Sequence, residues 1–298
     1  LDETFIPGQP AFINSLAYQA DGRILAGANG GLLRFNSDGG VDAAFRPPLG
    51  VYDCLFCGNS PLVNSVAVRS DGKIVAGGHF FALDARQTGV ALINADGTVA
   101  TNFAAFLQLA DPAGGRAPAV TVYNPTINSI SPLEDGRVLA GGRFNLASAM
   151  VRTRIALLKP DGTPDAGFNA TIGSPATQGA SYSSTTVWST MVAPDGSFLV
   201  AGDFNSVNGI PRFHLARLDS TGVLDAGFNK ESGPDAAVHS VALQPDGKIL
   251  IAGNFTNVNG VRMSRIARLL GPNSPPPGPT ITTQPASQTV VGGESVQL

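Results

Sequence analysis

VHSVALQPDGKILIAGNF, residues 238–255, is one of five copies of a single phrase. The others are INSLAYQADGRILAGANG from Ile13, VNSVAVRSDGKIVAGGHF from Val63, INSISPLEDGRVLAGGRF from Ile127 and VWSTMVAPDGSFLVAGDF from Val187. Self-similarity at a period of tens of residues marks a repeat architecture. The Asp of each Asp-Gly turn falls at Asp21, Asp71, Asp135, Asp195 and Asp246, at spacings of 50, 64, 60 and 51 residues.

Each unit carries the same parts. An alternating, β-branched stretch such as Val63 to Arg69 reads as strand one. Asp71-Gly72 marks a tight turn, because glycine tolerates the positive φ that hairpins demand. Lys73 to Gly77 is strand two, and a variable loop follows. In units four and five that loop ends in Asn208-Gly209 and Asn259-Gly260, both hairpin signals. Strand three is VALIN, IALLK, LARLD or IARLL, and a second tight turn leads to a short fourth strand ending on Phe45, Phe103, Phe168 or Phe228. Four short antiparallel strands per unit predict an all-β fold, a β-propeller of five four-stranded blades. The units lie near 13–45, 63–103, 127–168, 187–228 and 238–270, so the propeller takes residues 1–270. Phe80, Phe144, Phe204 and Phe255 recur after strand two and are expected between blades. Ser15, Ser65, Ser129, Ser189 and Ser240 recur in strand one, where a small residue suits the crowded axis.

The chain of 298 residues can bury a sizeable core without disulfides or metals. Charged residues are 14%, against about 25% in ordinary proteins, and the net charge of −3 offers no field for nucleic acid. No apolar run is long enough to span a membrane.

The fifth unit runs from IARLL into GPNSPPPGP and lacks its fourth strand. LDETF at Leu1–Phe5 has the form of that missing piece (compare VDAAF, PDAGF and LDAGF) and is expected to complete a blade and close the ring. The alternative is a larger ring with further blades encoded upstream. The opening LDETF reads as a cut within a longer protein, whose export signal would lie upstream.

The pattern PDGKILIAGNF…NG…IARL…DG…LDAGF resembles the delta-60 repeat, a bacterial β-propeller family of unknown function. The resemblance covers residues 1 to about 270 and is weakest in the first unit, which has AGANGG and no Phe. Kelch repeats share the strand-ending Gly-Gly but carry a Tyr and a Trp in each blade, and this chain has a single Trp. The resemblance implies an exported, often surface-attached bacterial protein and carries no catalytic motif. Residues 271–279 read as a Pro-rich linker. Residues 280–298, TITTQPASQTVVGGESVQL, look like the truncated start of a bacterial immunoglobulin-like domain.

In a four-stranded meander the tight turns share one face, and the variable loops and blade-to-blade links share the other. The long segments 46–62, 104–126 and 169–186 therefore gather on one face, the expected ligand face. Two rings of chemically varied positions open toward it: Asn14, Asn64, Asn128, Trp188 and His239 at the start of strand one, and His79, Arg143, Asp203 and Asn254 at the end of strand two. Tyr52, Tyr123 and Tyr182 (with Phe56) could add flat contact area for a glycan or protein. Cys54 and Cys57 read as a loop-tightening disulfide or two plain thiols, since a zinc site would need two further ligands. Neither a metal nor a cofactor is expected. The sequence favours an extracellular or cell-surface binding, adhesion or scaffold module. The alternative, a polysaccharide hydrolase or lyase, would draw on Asp203 with Asp53 and Glu231, carboxylates that glycoside chemistry uses in pairs.

Overall fold

The computed structural model describes residues 4–5, 12–50, 60–82, 87–105, 125–145, 153–173 and 185–271. Regular structure there is entirely β-strand. Each repeat forms one antiparallel sheet in which the middle strand pairs with both neighbours. The sheets are Ile13–Tyr18, Ile24–Ala28 and Gly31–Phe35; Leu62–Val68, Ile74–Ala82 and Gln87–Ile93; Thr126–Pro132, Val138–Asn145 and Thr153–Leu158; Thr186–Val192, Phe198–Asp203 and Leu215–Leu218; and Val238–Leu243, Ile249–Gly253 and Ile266–Leu269. Strand one of each sheet lies beside strand one of the next, as blades of a propeller do.

The expected fourth strand is shorter than a strand. It touches the sheet through single bridges, Phe35–Val41, Ile93–Val99, Leu158–Pro164 and Leu218–Leu224. The cause is local in three of the four blades. The carboxylates of Asp42, Asp165 and Asp225 accept the backbone N–H two residues on, from Ala44, Gly167 and Gly227. That Asx-type turn carries the chain off the sheet toward the closing Phe.

The first tight turns are hairpins with a glycine in the left-handed region, Gly72 at φ 77° and Gly247 at φ 79° for example. Their Asp side chains accept the N–H two residues on, as Asp71 does from Lys73 and Asp135 from Arg137. The turn chemistry thus accounts for the repeated Asp-Gly. Asn208-Gly209 and Asn259-Gly260, both at positive φ, join the short hairpin strands Ser206–Val207 to Ile210–Pro211 and Asn257–Val258 to Val261–Arg262.

The carboxyls of Asp96, Asp161, Asp195 and Asp219 sit below their ordinary value, chiefly through hydrogen bonds from the hydroxyls of Thr98, Thr163, Ser197 and Thr221. A carboxyl depressed in the folded state adds stability above its unfolded pKa and loses it as pH falls through the folded pKa. The melting temperature should therefore be flat from neutral pH down to about pH 5 and fall below about pH 4, where unfolded carboxylates take up protons. Unchanged melting between about pH 5 and pH 3 would contradict this.

The core is a row of layers between sheets. Leu25, Phe45, Val63, Val66 and Phe80 fill the layer between the first and second sheets. Val75, Phe103, Ile127, Ile130 and Phe144 fill the next, and Leu139, Phe168, Val187, Phe198 and Phe204 the third. Leu199, Val238, Val241 and Phe255 fill the fourth. Phe168 and Phe198 meet edge to face with centroids 5.7 Å apart. Each ring buried this fully contributes about 2–3 kcal/mol of hydrophobic stabilisation.

The strand-one serines do more than fit a narrow space. Ser15, Ser65, Ser129 and Ser189 each accept, through Oγ, the backbone N–H of the following blade's strand one, from Val66, Ile130, Thr190 and Val241 at 3.1, 3.1, 2.9 and 3.3 Å. Ser129→Ala leaves the Thr190 N–H without its acceptor and should cost about 1–2 kcal/mol in urea unfolding. No measurable loss would make the bond incidental.

The five sheets do not close into a ring among the described residues. The first and fifth share no core layer and no strand pairing. Leu1–Glu3 lie outside the described residues, and so does the expected pairing of Leu1–Phe5 with the fifth sheet. The Pro-rich linker beyond Gly271 and the immunoglobulin-like start are likewise outside.

Candidate binding face

The ring at the start of strand one divides into two sectors. In the first three blades it is asparagine, and each asparagine holds the next blade. Nδ2 of Asn14, Asn64 and Asn128 donates to the backbone oxygens of Val63, Ile127 and Val187 at 3.1, 3.0 and 3.0 Å. These side chains form an inter-blade girdle, with Asn14 also meeting Asn29 and Asn64 meeting Asn128. In blades four and five the girdle stops. Trp188 and His239 replace asparagine, and their rings lie 5.4 Å apart at 53°. Trp188 is 38% exposed, and His239 is exposed as well.

The second ring, at the end of strand two, gains partners that sequence reasoning missed. Gly89, Arg154, His214 and Arg265 enter strand three of blades two to five at φ 75°, 70°, 62° and 70°. The backbone oxygens of His214 and Arg265 accept the N–H of Gly202 and Gly253 at 2.9 and 3.0 Å, which fixes the turn of chain there. Side chains at this position project beside the second ring. His214 Nδ1 lies 3.7 Å from Asp203 Oδ1, and Arg265 Nη1 donates to Asn254 Oδ1 at 3.2 Å. The only sequence signal for this position was its place directly before the apolar strand-three run.

Charge varies around the face. Burial lowers the Arg154 pKa from its ordinary value, and the Arg143 cation adds to that. Burial and Arg143 also lower His79. His214 is lowered by burial, against the opposing pull of Asp203 and Asp235, and so is neutral at pH 7. Blade three therefore presents the Arg143 cation, while blade four presents the exposed Asp203. Asp235 is not available for ligand chemistry: it accepts four hydrogen bonds from Thr256 and Asn257, between 2.7 and 3.0 Å. Those bonds hold its carboxyl far below the usual range.

The structure thus brings Trp188 to His239, Asp203 to His214 and Asn254 to Arg265, while the Arg143 charge acts on His79 through space. Asp203 has the His214 imidazole as its neighbour, 3.7 Å away, and Glu231 is exposed on the link before blade five. Asp53, Tyr52, Phe56, Tyr123, Tyr182, Cys54 and Cys57 lie outside the described residues. On the opposite, tight-turn face a cleft of about 350 Å³ opens between blades four and five, lined by Asp195, Arg217, Gln244 and Asp246. No helix among the described residues is long and apolar enough to cross a membrane.

The chain is similar to several solved structures. One is a protein of unknown function from Bacteroides caccae, at 15% identity and a TM-score of 0.46, covering 82% of this chain and 72% of that one. A second is the extracellular domain of the putative one component system BT4673 from B. thetaiotaomicron, at 15% identity and a TM-score of 0.44, covering 83% of this chain but 27% of that one. A third is streptogramin B lyase, at 14% identity and a TM-score of 0.44, covering 90% and 70%. No curated protein matches the chain. Residues 19–45, 69–103, 133–168, 193–228 and 244–271, one segment in each blade and together more than half of the chain, match a single family, and the chain belongs to it: the "domain of unknown function (DUF5122) beta-propeller".

Proposed function

We propose that this chain is a non-enzymatic binding module of an extracellular or cell-surface bacterial protein, and that it takes its ligand at the axial mouth of blades four and five. One observation carries the reading. The girdle that asparagine builds in three blades is given up where Trp188 and His239 stand, and an exposed aromatic pair takes its place. A flat, half-exposed indole beside hydrogen-bonding groups suits the apolar face of a sugar ring or a protein side chain. Asp203, His214, Asn254 and Arg265 supply polar contacts at the neighbouring strand ends.

Trp188 is the only tryptophan in the chain, so its fluorescence reports on this site alone. Titration with a panel of polysaccharides and peptides should give a saturable change in its emission for the true ligand class. A folded protein whose emission no member of a glycan array or peptide panel perturbs would end the proposal. The second reading, a polysaccharide hydrolase or lyase, rests on the Asp203–His214 pair. Turnover of a polysaccharide that is lost in Asp203→Asn would put that reading first.

A further inference from the structure

The two ends of the row of sheets are unfinished in a matching way. Position for position, Ile13 in strand one corresponds to Val63, Ile127, Val187 and Val238, which are fully buried, yet Ile13 is 43% exposed. Leu16 corresponds to Val66, Ile130, Thr190 and Val241, all buried, yet it is 65% exposed. On the other side of the fold, Ile266 corresponds to Leu32, Val90, Ile155 and Leu215, all buried, yet it is 61% exposed. Leu270 beside it is exposed too. The first sheet therefore shows a bare front and the fifth a bare back. Those are the two surfaces that meet at each of the four internal layers.

The polar groups agree. Four strand-one serines accept the N–H of the next blade, and Ser240, the fifth, stands exposed. The N–H that matches those four donors in the first blade is that of Leu16, at the opposite end of the row. Arg34 and Arg217 pair with Asp42 and Asp225 on the fourth segment of their own blades, while the matching Arg268 is exposed. A groove of about 410 Å³ lies by Phe228, Leu269 and Leu270, next to where a fourth segment of blade five would run.

We propose that these two surfaces are interfaces for further blades of the same repeat, carried by the same polypeptide, so that the complete ring holds more than five blades. The argument is continuity with the interfaces already built. Each bare position has the apolar residue, the register and the hydrogen-bonding group that a blade of this sequence covers elsewhere in the chain. Consecutive repeats of one chain form all four existing layers.

The test places single cysteines at Leu16→Cys and Ile266→Cys, in a background with Cys54→Ser and Cys57→Ser, and follows thiol labelling. In the present chain both should label at the rate of an exposed thiol. Leu16→Lys should leave the melting temperature unchanged, while Val66→Lys should lower it sharply. Joining one or two copies of the fourth repeat to the chain should slow labelling at one or both sites by about tenfold or more, as burial does. In that longer chain Leu16→Lys or Ile266→Lys should become destabilising. Protection of both cysteines in the monomeric 298-residue chain would overturn the proposal in favour of a five-blade ring closed by Leu1–Phe5. Protection that rises with concentration would overturn it in favour of a second copy. Labelling unchanged by added repeats, in a folded protein, would overturn it outright.

Discussion

Gly142→Ala is expected to cost about 3 kcal/mol of stability, the range of substitutions that force a buried backbone apart. Strand one of the third sheet slips register between Ile127 and Ser129 as it pairs with the middle strand. That bulge presses the Thr126 carbonyl oxygen against Gly142, and a methyl group there would collide with it and lie 2.9 Å from the Cα of Ile127. Both obstacles are backbone, so no side chain can swing away. Gly78, Gly202 and Gly253 meet the carbonyls of Leu62, Thr186 and Ala237 in the same way. The first sheet carries Ala28 at this position, paired with Ile13 on a strand whose front no sheet covers among the described residues. Gly196 is the control. It sits at φ 79° with open space around it, so Gly196→Ala meets only the left-handed backbone strain, about 1 kcal/mol. Urea unfolding of the two variants should therefore differ by about 2 kcal/mol. Equal costs would mean that the bulge relaxes around the added methyl and that the close carbonyl does not demand glycine there.

What could be read from the sequence was local. Alternation in Val63 to Arg69 and the Asp-Gly pairs set strands and turns, because period-two patterning and positive φ are properties of a few adjacent residues. The same holds for Asn208-Gly209 and Asn259-Gly260. The fourth strand was overread, since the Asx turns at Asp42, Asp165 and Asp225 act within two residues and end pairing after one bridge. What could not be read joins residues about a repeat apart. Ser65 was legible as small but not as the acceptor for Ile130, 65 positions on. Asn128 was legible as a varied ring position but not as a donor to Val187. His214 and Arg265 were invisible for a different reason. Their left-handed backbone is imposed by the return of the chain into the sheet, and neither residue type announces it. Of the candidate site, both rings were named from the repeat pattern. Which sector is engaged in holding blades together and which is left open followed only from the contacts.

That division yields the second large effect. Trp188→Asn should weaken ligand binding by about thirtyfold, the usual consequence of removing an anchoring tryptophan from a contact. It should do so without loss of stability. In the preceding blade the equivalent Asn128 donates to the Val187 oxygen at 3.0 Å. The introduced asparagine would meet the Val238 oxygen in the same geometry and extend the girdle by one blade. One neutral hydrogen bond gained is worth about 1 kcal/mol, enough to offset the half-exposed indole that is removed. A tryptophan kept for packing would behave in the opposite way: Trp188→Asn would unfold earlier and bind as before. His239→Asn separates the two roles further. Its ring contacts Trp188, but the described residues place no sheet behind blade five to receive an asparagine donor. It should therefore weaken binding by a smaller factor and leave unfolding unchanged. Binding isotherms and urea curves measured on the parent chain and both variants decide between a site and a seam. A site requires that affinity fall in both variants while the midpoint of unfolding falls in neither.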